Sequence, residues 1–275
     1  MDPRRMCPHC RAFITTKDRV CPYCHEAVAP KQSGGDSTLF AGFIPHVRFN
    51  TMIILLINFG LYMATALFSM NSGNESAFLT IDNRTLVAFG AKYNPLIVMG
   101  EWWRLVTAGF LHGGILHILM NSWVLFDLGA QVEEFYGASR MLVIYFVGTV
   151  VGFYASAWWS PAISTGSSAG ICGLLGAMIA YGVHNKTSLG SAIRGMYIRW
   201  AVYILVLGML PFLPIDNAAH VGGLAGGFGV GYIAGTPGRL RSPVEYIWKI
   251  AAGLGILITA LCFLKMYLWF RANTR

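Results

Sequence analysis

Residues 165–173 read TGSSAGICG, two consecutive serines in a nest of glycines, in the middle of a chain that is otherwise strongly apolar. Neither residue type adds apolar surface, so a segment flanked by hydrophobic runs carries them for another reason. The surroundings show what kind of chain this is. Of 275 residues, 55% are hydrophobic and only 12% are charged, and the mean hydropathy is +0.56. That is too apolar and too poor in charge for an ordinary soluble domain of this length, and it predicts a polytopic membrane protein.

A helix that crosses the hydrocarbon core needs about 20 apolar residues at roughly 1.5 Å each. Seven stretches qualify: 51–70, 114–134, 140–159, 167–184, 197–214, one opening at residue 216, and 244–270. No signal peptide is expected ahead of them, because the first 50 residues hold no apolar core of the required length. Lys and Arg positions orient the array. With a cytoplasmic N-terminus, Arg4, Arg5, Arg11, Lys17, Arg19, Lys31 and Arg48 lie inside, as do Arg140, Lys186, Arg194, Arg199, Arg239, Arg241 and Lys249. The positive-inside rule favours this orientation. It also accounts for the net charge of +8, so nucleic acid is not an expected partner: no basic stripe alternates with aromatics. The expected surroundings are the lipid bilayer of the plasma membrane.

The first 36 residues are a different kind of sequence. CPHC (Cys7, Cys10) and CPYC (Cys21, Cys24) form two CxxC pairs with ten residues between them. Thiolates three apart on a tight turn take two corners of a tetrahedron, and two such turns close a four-sulfur Zn2+ site. Two disulfides or a redox pair are the alternatives. A cytoplasmic N-terminus disfavours stable disulfides, and so short a segment buries too little surface to fold without a metal. His9 and His25 adjoin the turns as substitute ligands or surface residues. Residues 1–28 are therefore expected to form a zinc-ribbon-like domain with a structural metal, serving a cytoplasmic partner, metal or redox response, or simple stabilisation. Residues 29–50 are expected to form a linker. Between the first two spans, NPLIVMGEWWRLVTAGFLHGG (94–114) is too aromatic for a disordered loop and too polar for a span. An interfacial element is expected there, with Arg104 reaching water or Glu101.

Polar side chains within spans are costly, so each needs a partner, a water-filled cavity or a function. His117 and Asn121 share one face of the second span, being four apart. Ser167 and Ser168 open the fourth span, and His220 stands near the start of the sixth. With the N-terminus inside, these three helices all run from outside to inside, so the polar residues share one depth just below the outer surface. A serine, a histidine and two hydrogen-bond donors at one level can form a nucleophile, a base and an oxyanion hole, which suggests acyl transfer. The glycines around them also read as small-xxx-small packing. The two readings agree, because close approach of the fourth and sixth helices would bring Ser168 and His220 within reach of each other.

With WWR at 102–104, HILMN at 117–121, GSSAG at 166–170 and AHVGGLAGG at 219–227 in this order, the chain resembles the rhomboid family of intramembrane serine proteases over about residues 51–236. The resemblance implies an all-α, polytopic membrane helical bundle: a six-helix protease core (51–236), followed by a seventh helix and C-terminus (237–275). It further implies a Ser–His dyad with no third acidic residue. Ser168 matches the nucleophile and His220 the general base. His117 and Asn121 match the oxyanion-stabilising pair, joined by the backbone N–H of Ser168, and no catalytic cofactor is needed. His112 is not required by this scheme and is expected to be structural. Two departures stand out: Ala169 replaces the common glycine after the nucleophile, and Cys172 stands where a tyrosine often packs on the catalytic histidine. By resemblance the substrates are transmembrane proteins cut within or beside a membrane helix. The alternatives are a non-proteolytic binder of membrane-protein clients and a transporter; the latter would predict an internal repeat or paired broken helices, and neither is seen.

Overall fold

The computed structural model describes residues 4–7, 10, 12–15, 18, 20–26, 28, 49–211, 213–236 and 243–274. Almost all of the expected linker, and His9, lie outside them. The chain divides into two compact units, 1–43 and 44–275.

In the first unit, β1 (Arg4–Met6) pairs antiparallel with β2 (Phe13–Thr15), Met6 opposite Phe13. Cys7 N donates to Ala12 O and Cys21 N to Glu26 O, each at 2.8 Å, closing the two cysteine turns. His25 is exposed and has φ 56, the left-handed region in which few side chains are comfortable. Cys7, Ile14, Cys21 and Val28 form the unit's small core. Strands this short leave no periodic signal in the sequence, which is why the all-α expectation did not include them.

The second unit is helical. In chain order it comprises α1 (Phe49–Asn71), the short α2 (Asn83–Ala88), α3 (Asn94–Val98) and α4 (Arg104–Thr107), and a 3-10 turn at Ala108–Phe110. The long helices α5 (Ile115–Tyr136), α6 (Ala138–Trp159), α7 (Ser168–His184), α8 (Ser188–Leu207), α9 (Asn217–Ala234) and α10 (Pro243–Asn273) follow. All seven expected helices are present, and the fold is a membrane helical bundle. Four of them, α1, α5, α6 and α10, are long and apolar enough to cross a membrane by themselves. The other three sit inside or against the bundle: α7 is only 17 residues long, α8 carries Arg194 and Arg199, and α9 is rich in glycine.

The short α7 is the hub. It packs against α5, α6, α8 and α9, and every residue from Ala169 to Met178 is buried. Helices in lipid gain little hydrophobic free energy by meeting, so close van der Waals approach must hold them. Glycine supplies that approach between α7 and α9. A Cβ on Gly176 would strike the Leu224 carbonyl, and one on Gly223 would strike the carbonyl of Ala169.

The fifth helix departs from the expected 197–214. It starts earlier because Thr187 caps it, accepting from Gly190 N at 3.1 Å, and its early and middle turns carry the exposed Arg194 and Arg199. It stops at Leu207, ahead of Gly208, Pro211 and Pro214.

At one face of the bundle, the 71–113 segment folds into α2, α3 and α4. Asp82 caps α2, accepting from Thr85 N at 2.9 Å, and ties it to α1 through Ser69 Oγ at 2.7 Å. Arg104 meets Glu101, Nε to Oε2, at 2.7 Å, as expected. At the opposite end of the bundle, Arg140 forms a buried two-point ion pair with Glu245 at 2.7 and 3.0 Å and donates to the last carbonyl of α9, Ala234 O, at 3.3 Å. One guanidinium thus joins α6, α9 and α10.

Candidate active site

Two glycine-dependent features build the site. At Gly166 φ is +131, a backbone conformation closed to other residues, and a Cβ there would lie 2.7 Å from His117 Nε2 and 3.4 Å from Asn121 Nδ2. The turn before α7 is thereby pressed against the imidazole and amide that α5 presents. At the same level, the close approach of Gly223 to Ala169 brings α9 onto α7. Ser168, the first residue of α7, and His220, in the first turn of α9, then face each other with Oγ···Nε2 2.9 Å.

The four polar residues singled out in the sequence converge. His117 lies in the first turn of α5 and Asn121 one turn further on, both beside Gly166. Asn121 Nδ2 is buried and has no hydrogen-bond partner among the described residues, so one donor stands free beside the serine turn. His220 is 6% exposed, and its Nδ1 likewise has no partner among the described residues. The nearby Asp216 is committed elsewhere. It caps α9 through Ala219 N at 3.1 Å and bonds Ser156. Chemically, this is a hydroxyl sharing a hydrogen bond with an imidazole at a helix N-terminus, where backbone N–H groups are unpaired, beside a free amide donor. The set can hold a nucleophile, a proton acceptor and donors for a developing negative charge.

Three surrounding features were not read as parts of the site. His112, fully buried, places Nε2 3.2 Å from Ser167 Oγ and its ring 5.1 Å from that of His117, so it braces the serine turn. Lys92, also fully buried, donates from Nζ to Ser160 O at 2.5 Å and Ala162 O at 2.9 Å. Its backbone pairs with Ser164 in both directions, at 3.0 and 3.1 Å. Nothing in the local pattern around Lys92 signals this. Phe153 of α6 packs with Ala169 and Ala219, the chain neighbours of Ser168 and His220. Cys172 is buried one turn below Ser168. Two cavities lie away from the pair. One of 640 Å³ is almost wholly apolar and lies between α1, α6 and α10, and one of 930 Å³ lies beside α2 and the end of α10.

The second candidate centre lies in the first unit. The Sγ atoms of Cys7, Cys10, Cys21 and Cys24 all fall within 4.8 Å of one another. The nearest pairs are Cys7 with Cys24 at 3.7 Å and Cys10 with Cys21 at 3.6 Å. None of the four is in a disulfide, and both distances are well beyond the roughly 2.05 Å of an S–S bond. The cluster is compatible with a structural metal.

Comparison with known proteins shows the family of the chain. A family model described as Rhomboid domain matches residues 99–237. Rhomboid protease GluP of Bacillus subtilis is 41% identical over 157 residues, covering 57% of this chain and 31% of that protein. RHOMBOID-like protein 6, mitochondrial, of Arabidopsis thaliana is 35% identical over 60% of this chain and 55% of its own length. Rhomboid-like protease 2 of Toxoplasma gondii is 32% identical over 208 residues, covering 73% of this chain and 71% of that protein. The chain therefore spans about a third to just over half of the first two of these relatives.

Proposed function

Because the chain belongs to the rhomboid family and is an integral membrane protein, we propose that it is an intramembrane serine endopeptidase that hydrolyses peptide bonds within or next to transmembrane helices of membrane-protein substrates. The observation that carries this reading is the 2.9 Å contact between Ser168 Oγ and His220 Nε2, formed by residues 52 apart in sequence on two helices.

In this mechanism, Ser168 Oγ attacks the scissile carbonyl carbon while unprotonated Nε2 of His220 takes the hydroxyl proton. The carbonyl oxygen becomes an oxyanion facing Asn121 Nδ2, His117 and the Ser168 N–H, donors held in place before the charge develops. Collapse of this intermediate breaks the C–N bond. His220 then returns the proton to the leaving amine, and an acyl ester remains on Ser168. Water, deprotonated by His220, hydrolyses that ester and restores the hydroxyl. Nothing but Nδ1–H is required on the far side of the imidazole, in keeping with a dyad. Phe153 packs with Ala169 and Ala219, the chain neighbours of both residues.

The four thiolates are proposed to hold Zn2+. Zn–S bonds of about 2.3 Å at tetrahedral angles put sulfurs about 3.8 Å apart, against 3.7 and 3.6 Å for the two nearest pairs. Bound there, the metal would supply folding free energy to the 1–28 segment and no chemistry at Ser168. The distribution of Lys and Arg favours a cytoplasmic N-terminus, and the plasma membrane is proposed as the protein's location. The zinc segment would then be available to a cytoplasmic partner.

The test is cleavage of a single-span membrane protein by the purified, lipid-reconstituted chain, set against Ser168→Ala and His220→Ala at matched folding. Cutting by the wild type alone supports the reading. Equal cutting by all three, or none by any on several substrates, removes it, the second result favouring a client-binding protein.

A further inference from the structure

The C-terminal helix stands outside the six helices that build the site, yet its outer end carries more polar contacts than an anchor in lipid needs. Trp269 Nε1 donates to Glu101 Oε1 at 2.6 Å, while the other oxygen of that carboxylate accepts from Arg104 Nε at 2.7 Å. The Arg104 guanidinium is fully buried between the rings of Trp103 and Trp269, 4.5 and 4.9 Å from their centroids. Phe270 completes the joint, edge-on to Phe68 at 5.2 Å and Phe89 at 4.9 Å.

From Arg104 the contacts continue towards Ser168. Nη1 donates to Val87 O at 2.7 Å and Ala91 O at 3.2 Å. The next residue is Lys92, which clamps the 160–164 segment leading into α7 by two backbone and two side-chain hydrogen bonds. Asn94 Nδ2 adds bonds to Ala157 O and Ser160 O at 3.0 and 3.1 Å. Two further bonds reach the turn itself: Gly166 N to Ala108 O at 2.9 Å, and His112 to Ser167. The 83–113 segment is thus the mould against which the serine turn is set.

We propose that α10 is a positioning element for the proposed reaction: Trp269, acting through Glu101 and Arg104, fixes the 83–113 segment and so the placement of Ser168 against His220. This rests on the reading of Ser168 as the nucleophile. Apolar packing would suffice to anchor a helix in lipid, and a buried charge pair is a poor source of stability. Its stronger effect is to select one geometry over others. A carboxylate shared between α10 and Arg104 registers the two elements in a way that Leu or Phe contacts do not.

The test uses the full chain in lipid with Trp269→Phe, which keeps a ring over Arg104 and deletes the N–H, Glu101→Gln, and the double variant. Leu268→Ala, at an exposed position on the same helix, is the control. The readouts are kcat and KM, the thermal midpoint, and hydrogen exchange in 87–94 and 160–168. Trp269→Phe is expected to lower kcat about tenfold with KM little changed, since small misplacement of reacting groups is costly, and to speed exchange in both segments. The double variant should be no worse than the poorer single one, because the two residues act through one bond. Wild-type kcat in Trp269→Phe, exchange confined to α10, or additive losses would each overturn the proposal. Should the wild type cut no substrate, the protease reading fails separately, and exchange at 160–168 still decides whether α10 is coupled to the serine turn.

Discussion

Replacing Asn121 with alanine separates catalysis from folding at this site. Asn121 Nδ2 is buried, has no hydrogen-bond partner among the described residues and lies beside the turn that delivers Ser168. A buried donor left unpaired costs about 1–3 kcal/mol, so its removal deletes a resting-state penalty rather than a bond. Against this stands the packing lost at a half-buried position, and the two effects offset. In the proposed transition state the same N–H is engaged by the oxyanion. Losing one such donor lowers kcat by about 10²–10³, or about 2.7–4 kcal/mol. The expected outcome is therefore kcat down about 100-fold with KM within about threefold and the thermal midpoint unchanged or slightly raised. Cleavage kinetics on a reconstituted single-span substrate, with thermal unfolding of the same preparations, measure both. The reasoning is refuted if kcat holds within twofold of wild type, or if activity falls only in step with the midpoint.

Gly166→Ala should abolish cleavage and also cost stability. It forces a side chain into φ +131 and onto His117 Nε2, and such strain runs to about 1–3 kcal/mol before the clash is counted, readable as a lowered unfolding midpoint. Arg140→Met removes the two-point ion pair with the buried Glu245, so a loss of about 3–5 kcal/mol is expected. Arg140→Met with Glu245→Leu should recover much of it, again seen by thermal unfolding. A zinc chelator, or deletion of residues 1–36, should unfold or remove the ribbon while leaving kcat on a membrane substrate unchanged. A loss of cleavage with folding intact would contradict that independence.

The helices were legible because apolar runs of membrane-spanning length are a strong signal, and the edges of α1, α5, α6 and α7 fall close to those expected. The fifth helix was displaced because hydropathy discounts Arg194 and Arg199, whereas the backbone responds to the Thr187 cap. His117, Asn121, Ser168 and His220 could be brought together on paper by helix direction and depth alone. What hydropathy could not give is the 71–113 segment. Its shape depends on long-range polar contacts such as Lys92 with the 160–164 segment, and Lys92 has no local pattern to mark it. The bracing of Ser167 by His112 was hidden for the same reason. The ribbon's sulfurs were evident from spacing, but its short strands follow from the pairing of Met6 with Phe13, which no periodicity announces.

The brevity of α7 sets a distance. At 17 residues and roughly 1.5 Å each it is about 25 Å long, while the hydrocarbon layer is about 30 Å thick. Set with His184 at one edge of that layer, a helix of this length leaves Ser168 at its other end about 5 Å short of the opposite edge. On the proposed reading, the helix is a ruler carried inside the protein, its zero at His184 and its cutting mark at Ser168. A substrate helix is read by where its own backbone crosses that mark. Lengthening a substrate's apolar stretch should then slide the cut along its sequence, while the depth at which the bond breaks stays fixed by the position of Ser168.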